Sequence, residues 1–265
     1  LEDIYSQGRS WADFREAAGL SVLPAGKYEK KIRRSIGRLL HVDDEPRINS
    51  YLEILRQLPE QWKPNSIREE RLRRMIIASI VSEVVDADTH INDACNIVLD
   101  HPQILSEVIE LLDVLRNRIS HVPIFLKNWP NVPLNLHARY TRVEIQAAFG
   151  DGTQDKARLP DWKEGVKWIR PENCDIFVIT RIKNEEYFSE RTRYNDCAIS
   201  RELFQWESQS TTPEGGATGR RYQNCYGEGP RVMLFARLNE KDRAFQFLGP
   251  ASYVSHDGER PMKIR

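Results

Sequence analysis

The apolar residues of this chain change period once, and no other feature constrains the fold as much. Up to Lys127 they recur three or four residues apart, the spacing of one helix face. Beyond Asp175 they alternate by two or run without interruption, as in half-buried and fully buried strands. Between these regions lies Lys127-Asn128-Trp129-Pro130-Asn131-Val132-Pro133, whose two prolines disfavour helix. The pattern predicts an α+β protein. An N-terminal helical bundle occupies residues 1–127, and a compact, mainly antiparallel β domain occupies 128–265. With 265 residues, 40% of them hydrophobic, the chain can build two cores.

Helix signals are local. Ser10 precedes Trp11-Ala12-Asp13-Phe14-Arg15-Glu16 as a cap, and Gly19 follows as a stop. Ile32, Ile36, Leu39 and Leu40 share a face, while Lys27, Lys30, Lys31, Arg33, Arg34 and Arg38 fall mostly elsewhere, as a solvated or phosphate-facing surface. From Ser66 to Val85 the charged stretch Arg68 to Arg74 leads into Ile76, Ile77, Ile80 and Val81, so polar turns should come before the buried ones. His101-Pro102 opens another helix, and Thr141 to Phe149 forms a short one ended by Gly150. Expected strands are Asp175 to Lys183, Ala198 to Gln209, Arg231 to Leu238 and Ala244 to Leu248, with shorter ones at Tyr253-Val254 and Met262 to Ile264. Val232 to Ala236 is apolar throughout, which marks a central strand.

Charge narrows the function. Lys+Arg and Asp+Glu balance at 39 each, against a protein that coats nucleic acid by bulk electrostatics, though a local basic groove stays open. The four cysteines are widely spaced, without zinc-type pairing, as in a cytoplasmic protein with reduced thiols. No apolar run reaches membrane-spanning length, so no membrane partner is expected. A start at Leu1 and an end at Arg265 read as cuts within a longer polypeptide.

Catalytic motifs are missing. A phosphate-cradling Gly-Lys-Ser/Thr loop is absent, so the chain alone should not hydrolyse ATP. Asp196, Glu207 and Gln209 are the nearest approach to a divalent-metal nuclease set, at imperfect spacing. Asp86, Asp88, His90 and Asp93 read as a capped helix start, and His41 as a structural hydrogen-bonding residue. A cationic and aromatic signal remains. Arg191, Arg193, Arg220 and Arg221 suit phosphates, Tyr194, Trp206 and Tyr222 suit bases, and Asn195, Gln205, Ser208 and Gln209 suit base edges. Against this, Phe204 and Trp206 also read as core.

Ordered motifs add a resemblance. Gly8-Arg9-Ser10-Trp11, Gly37 to Asp44 with Arg47, and His137-Ala138-Arg139-Tyr140-Thr141-Arg142 with Glu144 come first. Tyr194 to Ser200, Leu203-Phe204, Trp206 with Ser208-Gln209, Gly219-Arg220-Arg221-Tyr222, Phe247 to Ala251, and Gly258 with Pro261-Met262 follow. Together they resemble an uncharacterised bacterial domain found C-terminal to the DEAD/DEAH-type motor of superfamily-two helicases. These are helicases of the restriction and phage-defence kind, some carrying a phospholipase-D-like nuclease. Gln205 stands where that family's run has histidine, so no histidine role carries over.

The resemblance implies a non-catalytic region whose partners are DNA (duplex or single-stranded, modified or foreign) and the motor of the same chain. ATP and Mg would serve the full-length helicase, with no cofactor in this part. Two alternatives stand beside it: a regulatory domain that docks on the motor or a partner, and a metal-dependent nuclease.

Overall fold

The computed structural model describes residues 2–5, 9–60, 62–119, 122–182, 196–224 and 231–265. It is an α+β protein with helices first and sheets after them. Two compact units divide it, Leu1–Trp162 and Lys163–Arg265. The division falls later than the change of period at Lys127 to Pro133. No helix among the described residues is long and apolar enough to cross a membrane.

The first unit holds α1 (Glu2–Tyr5), α2 (Trp11–Ala17), α3 (Glu29–Ile36), α4 (Glu45–Gln57), α5 (Ile67–Val81), α6 (Ile91–Leu99), α7 (Pro102–Arg116) and α8 (Arg142–Ala148), with short strands β1 (Ile124–Phe125), β2 (Asn135–Leu136) and β3 (Arg139–Thr141). Caps begin several helices where expected. Ser10 and Asp13 form a capping box at α2, Pro102 opens α7 behind His101, and Thr141 and Glu144 form the box at α8. His90 caps α6 by accepting from the Asn92 N–H, and Asp86 accepts from the Asp88 N–H and the Thr89 hydroxyl. The acidic cluster beside His90 is therefore a turn and a helix start.

Two expectations about exposed charge are corrected. Arg71 and Arg74 of α5 are buried, because the loops packed on that helix offer carbonyls that need donors. Arg74 donates to Lys156 O at 2.8 Å, Asp151 O at 2.7 Å and Thr153 O at 2.8 Å, while Arg71 donates to Asn131 O at 3.2 Å. Arg33 of α3 is likewise buried, paired with Asp13, Glu16 and Glu29. It fastens α2 to α3 and belongs to no phosphate-facing surface.

The second unit contains β4 (Val166–Ile169), β5 (Cys174–Ile182), β6 (Cys197–Ala198), β7 (Phe204–Glu207), α9 (Ala217–Gln223), β8 (Arg231–Asn239), β9 (Ala244–Ala251), β10 (His256–Asp257) and β11 (Lys263–Ile264). Its main sheet runs β9-β8-β5-β4, antiparallel except for the parallel β5–β8 pair. Burial on both faces makes β8 the central strand its apolar run demanded: Met233 and Phe235 are fully buried on one side, Val232 on the other.

A smaller sheet, β10-β11-β7-β6, and α9 cover one face of the main sheet. There Phe177, Ile179 and Val232 pack with Trp206, Tyr222, Met262 and Ile264. The expected single strand Ala198 to Gln209 is a hairpin, β6 paired antiparallel with β7, because Ile199 and Ser200 both donate to Leu203 O and turn the chain. Tyr253-Val254 lies outside any strand.

Candidate functional site

Four expected contact residues, Arg191, Arg193, Tyr194 and Asn195, lie outside the described residues. Of the others, several turn out to be structural. Trp206 and Tyr222 are buried with Phe177 in a three-ring cluster, centroids 4.1 to 5.5 Å apart, so neither ring face can receive a base. Ser208 is buried too; its hydroxyl accepts from the Met262 N–H at 2.9 Å and fixes the end of β7 against β11. Gln205 is half-buried opposite Cys197, and Gln209 is exposed in the turn it closes with Thr212.

Of the residues of the nuclease alternative, Asp196 and Glu207 meet through the backbone. Asp196 Oδ1 accepts from the backbone N–H of Glu207 at 3.0 Å, a strand-edge contact, and the Glu207 side chain is buried. Gln209 is exposed beyond the end of that strand. Among the described residues no group of three His, Cys, Asp or Glu is gathered as metal ligands would be.

Helix α9 brings a different set together. Its first turn presses against the preceding turn so closely that a Cβ on Gly219 would lie 2.3 Å from Pro213 O and 2.6 Å from Glu214 O. Only glycine fits, which explains a poor helix former in the middle of a short helix. That approach sets Arg220 outward and Arg221 over the sheet. Arg221 donates from Nε to Asp175 Oδ2 at 2.7 Å and from Nη2 to Asp175 Oδ1 at 3.0 Å, a two-pronged pair. Asp175 is fully buried. Burial pushes its carboxyl above the usual carboxylate range, against the opposing pull of Arg221.

Trp168 stands beside this pair. It sits on β4 in register with Asp175, so the two side chains share a face of the sheet. The Arg221 guanidinium lies 4.5 Å from the Trp168 ring centroid and that of Arg170 5.4 Å away. The indole is still 41% exposed. An accessible aromatic ring flanked by two guanidiniums, with Arg220 exposed on the neighbouring helix, can hold a π-face and an anion together.

Sequence reading named Arg220 and Arg221 but missed Trp168 and Arg170. The local signal is weak, since Val166-Lys167-Trp168-Ile169 has no clean alternation and Arg170 lies in the turn beyond β4.

The first unit contains a second polar constellation, wholly interior. Glu144 Oε1 accepts from Arg47 Nη1 and from the Tyr51 hydroxyl, each at 3.0 Å. Its Oε2 lies 2.5 Å from His41 Nε2 and accepts from the Thr141 N–H at 2.9 Å. Arg47 Nε is 2.7 Å from Asp44 Oδ2, and its guanidinium lies 4.1 Å from the Tyr140 ring centroid. The Asn135 amide donates to Asp44 Oδ1 at 2.7 Å. Glu144, Arg47 and Asp44 are essentially inaccessible, so this constellation organises the fold. Burial works to raise the Glu144 carboxyl, but the electrostatic pull of His41 and Arg47 and the hydrogen bonds outweigh it. They hold the group well below the usual carboxylate range. His41 is thus the structural hydrogen-bonding residue it was expected to be.

The family comparison covers parts of both constellations. Residues 134–264 carry a DUF3427 domain, a domain of unknown function. The DUF3427 segment includes Tyr140, Thr141 and Glu144 of the buried network. It also includes Trp168, Arg170 and Arg221 of the exposed patch, the buried Asp175 that Arg221 pairs with, and Arg220. It begins inside the first compact unit, so the family boundary and the packing boundary differ. No curated protein gives a significant match.

Proposed function

We propose that this chain is a non-catalytic nucleic-acid-recognition region that works beside the motor of a superfamily-two helicase of the restriction or phage-defence kind. Modified or foreign DNA would be what it recognises. The observation that carries the reading is the exposed Trp168 indole between the Arg170 and Arg221 guanidiniums, with Arg220 close along the chain. Guanidinium groups match phosphate geometry, and an aromatic face matches a base. The ordered motifs of the sequence supply the helicase context.

Salt-dependent binding tests it. The full chain should bind DNA at low salt, with affinity falling as salt rises. Removing Arg170 or Arg220 should flatten the log–log salt slope by about one per cation. Plain, methylated, hydroxymethylated and phosphorothioate DNA, each as duplex and as single strand, form the panel. No binding to any member at low salt overturns the reading. Arg220→Glu that spares DNA binding but abolishes co-purification with the motor would assign this surface to a protein partner instead.

A further inference from the structure

We infer that the Trp168 patch takes a single nucleic-acid strand, with one unstacked base against the indole and a neighbouring phosphate on Arg170. This rests on the nucleic-acid reading above and narrows it.

The first support is the exposed ring itself. Among the described strands β4 is the last of the main sheet, with β5 as its one partner, and it presents Trp168 at 41% exposure. Base faces inside a duplex are already stacked on each other, so an indole gains little there. A free strand offers those faces, and stacking on an aromatic side chain tolerates any base.

The second support is the division of labour among the arginines. Arg221 is held by both oxygens of buried Asp175, so it braces the indole from the sheet side and its charge is already matched. Arg170 is exposed and lies 5.4 Å from the Trp168 ring centroid, where it can meet a phosphate beside a stacked base; Arg220, exposed on α9 with its Nε on Gly215 O, adds positive charge on the next element. A duplex footprint calls for many cations along two backbones, which a chain of zero net charge supplies poorly. One base and its neighbouring phosphate match the ring and the Arg170 guanidinium.

The test compares a labelled single strand with the blunt hairpin duplex of the same composition, titrated against the full chain at low salt. The single strand should bind at least about tenfold more tightly. Trp168→Ala should weaken single-strand binding by about 5- to 150-fold and leave duplex binding unchanged. Should the alanine variant prove unfolded by circular dichroism, Trp168→Tyr and Trp168→Leu decide the matter. Tyrosine keeps a stacking face and should retain most binding, whereas leucine keeps bulk alone and should not. Equal affinity for both forms, or equal behaviour of the tyrosine and leucine variants, overturns the inference. Duplex binding alone also overturns it and leaves the broader reading standing, and no binding to either form ends both.

Discussion

Arg47→Met should destabilise the first unit by about 3–5 kcal/mol, a large share of the roughly 5–15 kcal/mol that holds a typical domain together. Arg47 is the only guanidinium facing both Asp44 and Glu144 among the described contacts, and all three side chains are inaccessible to water. Removing it leaves Asp44 buried without the guanidinium it pairs with and leaves Glu144 with His41 alone as its cation. Methionine fills similar volume, so the loss reports charge and not a cavity. A urea titration followed by circular dichroism checks it, and an unchanged midpoint for the helical transition would refute the assignment.

The same network sets a pH dependence. Glu144 is depressed in the folded state, so its stabilisation is complete above the unfolded carboxylate value of about 4.3. It is lost progressively as pH falls below that value. Stability of the wild-type chain should therefore drop steeply on the acid side, and Glu144→Gln should flatten that limb while lowering stability at neutral pH.

Arg221→Ala should cost the second unit about 2–4 kcal/mol, less than a fully interior pair because the guanidinium retains some solvent contact. It strands Asp175 and removes the cation from beside both Trp168 and Tyr222. Thermal denaturation should show a midpoint lowered by roughly 10–20 °C. Adding Asp175→Asn to that background should recover part of the loss, since no buried charge is then left unpaired. A double variant as unstable as the sum of the two single changes would argue against a coupled pair.

Much of the architecture was legible because its signals are short-range. The capping boxes at Ser10 and Thr141, the His101-Pro102 helix start and the all-apolar run of β8 each declare themselves within a few residues. Helix α9 did not, since Gly219 is a poor helix former and only the close Pro213 and Glu214 carbonyls explain its place there. The hairpin β6–β7 was hidden because β6, Cys197–Ala198, is too short to show a period of its own, and only the turn at Ile199 to Leu203 separates it from β7.

The site was less legible, for a related reason. Arg220 and Arg221 carry the same sequence signal, yet one is exposed and the other is matched to Asp175, 46 residues earlier in the chain. Trp206 and Tyr222 looked suited to stacking, but hydrophobic neighbours from both sheets and α9 claim them for the core. Trp168, with an unremarkable local pattern, becomes the exposed ring because β4 lies at the sheet edge. Long-range pairs decide which charges are matched inside the fold. Arg47 and Glu144 make the same point inside the first unit, 97 residues apart.

Photocross-linking tests the central claim most directly. A single strand carrying 5-iodouracil, irradiated with the full chain at low salt and mapped by mass spectrometry, should attach to the peptide containing Trp168. Attachment should be lost in Trp168→Leu and reduced in Arg170→Ala. Cross-links confined to the helices of the first unit, or undiminished by these changes, would contradict the account.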